Sequence, residues 1–115
     1  MSDLIIKTEK TLNNCVIIKL IGGIDAFVVS KLKDTITELV DKGDFRLILD
    51  LNDVTQINST ALGVIIGRLR RVRAGGGDIK LVNLNEKIKN IFDIMGASKV
   101  FSLFDNIDKA IKSFK

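Results

Sequence analysis

Histidine, tryptophan and tyrosine are absent from this 115-residue sequence, and cysteine occurs once. Without histidine the chain can build neither a Ser-His-Asp triad nor a histidine phosphorelay. One thiol and no imidazole would leave zinc to carboxylates almost alone, so no metal and no cofactor is expected. Cys15 has no second cysteine to pair with, which agrees with a reducing compartment. At the start of an apolar run it reads as a small packing residue. The net charge is a mild +4. Its densest part, Arg68, Arg70, Arg71 and Arg73, has neither aromatic companions nor a nucleic-acid-binding motif, and reads as the solvated face and end of a helix. No segment approaches the roughly 18 apolar residues of a membrane span. The longest uncharged stretch, 54–67, is broken by Thr55, Gln56, Asn58, Ser59 and Thr60. The first ten residues include Asp3 and carry neither a signal-peptide core nor a cleavage site, so a cytoplasmic protein with no membrane or direct nucleic-acid partner is expected.

What is present is ordinary in bulk and specific in arrangement. Hydrophobic residues make up 46% and charged residues 28%, and the length fits one domain, 1–115, able to bury a real core. The densest information lies in residues 47–73. Leu47-Ile48-Leu49 and Leu51 read as a buried strand, and Asn52, Asp53, Thr55 and Gln56 as a connection. Leu62, Ile65, Ile66, Leu69 and Val72 then recur as one face of a helix, for which Asn58 or Ser59 is a natural N-cap. Thr60, Val64, Gly67 and Arg71 fall on the opposite side. A hydroxyl therefore sits where a strand ends and a helix begins, beside the positive end of the helix dipole.

The rest of the chain alternates in the same way. Leu4-Ile5-Ile6 and residues 15–21 read as two strands joined by a hairpin at Leu12-Asn13-Asn14. Gly22-Gly23-Ile24-Asp25 leads into a helix with Val29, Leu32, Ile36, Leu39 and Val40 inward and Gly43 at its end. Asp25 serves there as a cap or as a partner contact on the rim of Ser59. Gly75-Gly76-Gly77 precedes the strand 78–82 and is turn chemistry, since a phosphate loop needs a helix after its glycines. Asn85 caps a helix with Ile88, Ile91, Phe92 and Met95 inward and Gly96 as its stop. Residues 100–104 form a last strand, and Asp105 caps a terminal helix carrying Ile107, Ala110, Ile111 and Phe114. The expected fold is α/β, a mixed, mostly parallel sheet with about four helices in the order β-β-α-β-α-β-α-β-α. Ser59 would lie beyond a strand's carboxyl end. A hydrolase with Ser59 as nucleophile lacks both a histidine base and a Gly-x-Ser-x-Gly elbow, and no phosphate loop supports a bound nucleotide.

Ile57-Asn58-Ser59-Thr60-Ala61-Leu62-Gly63, together with Gly23-Ile24-Asp25, the triple glycine and Ile91-Phe92-Asp93-Ile94-Met95-Gly96, resembles the STAS domain. The likeness is to its stand-alone bacterial anti-sigma-factor antagonists, and it covers nearly the whole chain in the family's order. Asn58 stands where many members carry Asp, and Ala61 where many carry Gly. The resemblance implies that Ser59 is a phosphorylation site. It also implies partner contacts at Asp25, Asn58, Ser59, Thr60, Gly63, Val64, Gly67 and Arg71. The implied partners are an anti-sigma factor with serine kinase activity, bound by the unphosphorylated form to release a sigma factor, and a serine phosphatase acting on phospho-Ser59. The chain would be ligand and substrate, not an enzyme. An alternative within the family is a signalling or scaffold module in a partner switch that controls another output.

Overall fold

The computed structural model describes residues 4–114, so Asp3 lies outside the described residues. Ile5–Lys10 (β1) and Val16–Ile24 (β2) form the expected hairpin, antiparallel from Ile5 opposite Ile21 to Lys10 opposite Val16. Its turn closes through Thr11 N–H to Cys15 C=O (2.8 Å), with Asn14 in the left-handed conformation (φ 61°) that asparagine tolerates. Val29–Asp41 (α1), Arg46–Ile57 (β3), Ser59–Ala74 (α2), Asp78–Val82 (β4), Glu86–Ile94 (α3), Ser102–Phe104 (β5) and Ile107–Ser113 (α4) follow in the expected order. The sheet runs β1-β2-β3-β4-β5, with β2 to β5 parallel.

Alternation along the strands divides the molecule into two unequal cores. Val16, Ile18 and Leu20, then Leu47, Leu49 and Leu51, then Ile79 and Leu81 face α1, α2 and α3, where they meet Leu32, Ile36, Leu62, Ile65, Leu69, Ile88 and Phe92. The intervening side chains Ile48 and Val82, with buried Cys15, meet Ala110 of α4 and the flanking Ile107, Ile111 and Phe114. Cys15 is thus the packing residue its sequence context implied. On this smaller side lies Lys80, only 8% exposed. Its ammonium donates to Ser113 Oγ and stands 4.0 Å from the Phe114 ring centre. Burial lowers its pKa, an effect that the Asp78 carboxylate partly offsets.

The elements differ from the sequence reading at several points. The first strand, read as Leu4-Ile5-Ile6, runs to Lys10, and the second continues through Gly22 and Gly23, expected as a turn, to Ile24. The strand expected to end at Leu51 continues to Ile57, because Val54 and Ile57 are buried while Asn52, Asp53, Thr55 and Gln56 point outward. The polar residues mark an exposed face, not a connection. The last strand begins at Ser102, since Ala97–Lys99 turns as a 3-10 helix and Phe101 packs on Phe92 at 6.0 Å. Asn106, not Asp105, caps α4, accepting the Lys109 N–H at 2.9 Å, while Asp105 pairs with the Lys109 ammonium at 3.3 Å. Met95, expected inward, is 42% exposed at the end of α3, where Gly96 (φ 74°) stops the helix as expected. The triple glycine is a turn demanded by close approach: a methyl on Gly77 would come within 2.1 Å of the Phe45 carbonyl oxygen. Among the described residues no helix is long and apolar enough to cross a membrane.

Candidate functional site

The site grows from the far end of β3. Strand β4 pairs with β3 only as far as Asp50, so beyond it β3 is paired with β2 alone, and on the other side the Asn85 amide donates to the Val54 carbonyl at 2.9 Å. Two register shifts let β2 follow, and Ile24 ends opposite Ile57. The Asn58 N–H then donates to the Ile24 carbonyl at 3.2 Å. This pairing places the β2–α1 turn and the start of α2 side by side on one rim, at the carboxyl ends of two parallel strands.

Each side chain on that rim has a distinct task. Asn58 is the N-cap of α2: its backbone is extended (φ −101°, ψ 170°) and its Oδ1 accepts the Ala61 N–H at 2.9 Å. The alternative, Ser59 as cap, is thereby settled. Ser59 is the first helical residue, exposed, with its hydroxyl not required for capping. No acidic residue occupies the first turn, so the dipole's positive end faces water unopposed from within the helix.

Asp25 works on the neighbouring turn. Its Oδ1 accepts the N–H groups of Phe27 (2.9 Å) and Val28 (3.1 Å), and its carbonyl accepts that of Val29 (3.0 Å). The side chain caps the turn leading into α1, one turn ahead of the regular helix. Thr60, Gly63, Gly67 and Arg71 are exposed along α2. Val64, read from the helical wheel as outward, is half-buried and packs against the larger core. The helical wheel lacked the neighbour: α1 lies alongside α2, and the Arg68 guanidinium reaches across to Thr37 Oγ1 at 3.3 Å. Arg73 pairs with Asp78 at 2.9 Å on the surface, so two of the four arginines have side-chain partners, and Arg70, Arg71 and Arg73 are all exposed.

Phe27 was missed. It is 91% exposed at the tip of the Asp25 turn. The signal was available: it falls outside the Val29, Leu32, Ile36 repeat, and so had no place in the core. Among the described residues no group of three or more His, Cys, Asp or Glu is placed to hold a metal ion.

Over 91 residues the chain is 33% identical to the anti-sigma-B factor antagonist of Bacillus subtilis (strain 168), an alignment covering 78% of this chain and 82% of that protein. Its fold matches the crystal structure of an anti-sigma factor antagonist from Mycobacterium paratuberculosis with a TM-score of 0.85 at 19% identity, covering 96% of this chain and 93% of that one. It also matches the Bacillus cell fate determinant SpoIIAA in the phosphorylated form, with a TM-score of 0.74 at 21% identity, covering 96% and all of that chain (100%). Residues 7–110 match the family model described as the STAS domain, and the chain belongs to that family.

Proposed function

We propose that this protein is a cytoplasmic anti-sigma-factor antagonist gated by phosphorylation of Ser59, as ligand and substrate rather than catalyst. Unphosphorylated, it binds an anti-sigma factor with serine kinase activity and so frees a sigma factor. The kinase transfers a phosphoryl group from ATP to Ser59, and a serine phosphatase removes it. One observation carries the reading: Asn58 does the capping, so Ser59 offers an exposed hydroxyl whose modification leaves the helix start intact. The relatives' names supply the partner class.

The outward strip of α2 supports a docking surface. Methyl groups built at Gly63 or Gly67 would meet nothing within 4 Å, so internal packing does not demand glycine at either position. Each glycine in a helix interior costs about 1 kcal/mol relative to alanine. A partner's close approach accounts for that cost. A phosphate adds roughly −1.5 to −2 charges. In the free protein water and the helix N-terminus accommodate it; in the complex it must be desolvated. A penalty of about 3–4 kcal/mol lowers affinity by two to three decades.

The test is calorimetry with the purified cognate kinase, beside mass analysis after incubation with ATP. One added phosphate is expected on the wild type and none on Ser59→Ala. Ser59→Asp is expected to bind more weakly without a change in melting temperature. Tight binding by the phosphorylated form, or phosphate found only on Thr60, overturns Ser59 as the switch.

A further inference from the structure

Phe27 is the most conspicuous feature left unused. Its ring is in water, yet its backbone is fixed by the Asp25 carboxylate, through hydrogen bonds to Phe27 N–H (2.9 Å) and Val28 N–H (3.1 Å). The turn is also tied to the start of α2, because Ile24 pairs with Ile57 and accepts the Asn58 N–H. An exposed aromatic on a hydrogen-bonded turn has the properties of an interface anchor: large apolar area, few side-chain torsions to freeze and a backbone already set. We infer that Phe27 is the apolar anchor by which the Ser59 rim engages its protein partner, inserting into an apolar pocket beside the surface that meets Ser59. The inference rests on the docking reading above.

Charge and shape favour a protein as the occupant. Residues 25–30, Asp-Ala-Phe-Val-Val-Ser, carry one carboxylate and no cation, which disfavours an anionic lipid surface. Phe27 projects outward, so it is the inserting group and the concave element belongs to the partner. Asp25 is accordingly a positioning residue for the turn.

The experiment titrates the full chain with the purified cognate anti-sigma kinase, comparing wild type, Phe27→Ala, Phe27→Trp and Ser59→Asp, with a thermal melt of each. Phe27→Ala is expected to raise Kd by about 30-fold or more, the scale of a hot-spot residue. Its melting temperature should stay at the wild-type value. Phe27→Trp, which keeps an aromatic, should bind within about threefold of wild type. If Phe27→Ala binds like wild type while Ser59→Asp does not, the anchor is overturned and the phosphorylation switch stands. If Phe27→Ala loses melting temperature in step with binding, the ring is structural and the inference fails. If sedimentation shows a dimer that Phe27→Ala dissolves, with kinase affinity unchanged, the ring joins copies of this chain and the inference again fails. If wild type does not bind the kinase, the docking reading falls and the anchor falls with it.

Discussion

Helix α2 has two sides with opposite logic. On one, Leu62, Ile65, Leu69 and Val72 are 3% exposed or less and sit in the larger core. On the other, Ser59, Thr60, Gly63 and Gly67 are exposed, and added methyl groups at the two glycines would touch nothing. The inward side is chosen for volume and the outward side for the lack of it. Stability and the proposed recognition should therefore be separable by substitution within sixteen residues.

The largest effect expected from breaking that separation is on the inward side. Leu69→Ala should cost about 2–5 kcal/mol of folding free energy through the cavity it leaves. Denaturant unfolding would show it, and kinase binding by the fraction still folded should be unchanged. At the junction of the two sides, Asn58→Ala should cost about 1 kcal/mol by removing the cap, whereas Asn58→Asp should keep it and leave stability nearly unchanged. On the outward side the sign reverses: Gly63→Ala or Gly67→Ala should stabilise the protein by about 0.5–1 kcal/mol while weakening kinase binding. A stabilised variant with undiminished binding would remove that strip from the interface.

The smallest effect lies on the opposite face of the sheet. Because burial lowers the folded-state pKa of Lys80, its charge destabilises the fold at neutral pH. That penalty fades as pH rises through the folded value toward the ordinary 10.5. Lys80→Met should change stability little at pH 7, as the lost penalty and the lost Ser113 and Phe114 contacts oppose each other. The difference between the two proteins should move in favour of wild type as pH is raised, measurable by paired melts.

Periodicity makes the inward side of α2 legible in the sequence: four of its five expected core residues are buried and Ile66 packs against them half-buried. The three stops at Gly43, Gly76 and Gly96 were also legible, since all three have positive φ. What eluded the sequence depended on neighbours it does not name. Asn52 to Gln56 alternate in a broken pattern because β2 shifts register beside them, so a strand resembled a loop. Val64 reads as outward on a helical wheel, which shows one helix without its neighbours, yet it is half-buried against the larger core. Asp105 and Asn106 are both good caps by composition, and only the backbone decides between them. Phe27 falls outside every apolar repeat, so periodicity gave it no role.

The overhang of β3 past the end of β4 has a mechanical consequence. Beyond Asp50, β3 is paired with β2 on one side and tied on the other by the Asn85 amide, which donates to the Val54 carbonyl at 2.9 Å. Buried Val54 and Ile57 anchor it to the core, and its end and that of β2 carry Ser59 and the Phe27 turn. The tips share the Ile24–Asn58 hydrogen bond, so a load on one is transmitted to the other. A partner gripping both would meet two backbone turns set at a fixed span, as by a two-pronged gauge.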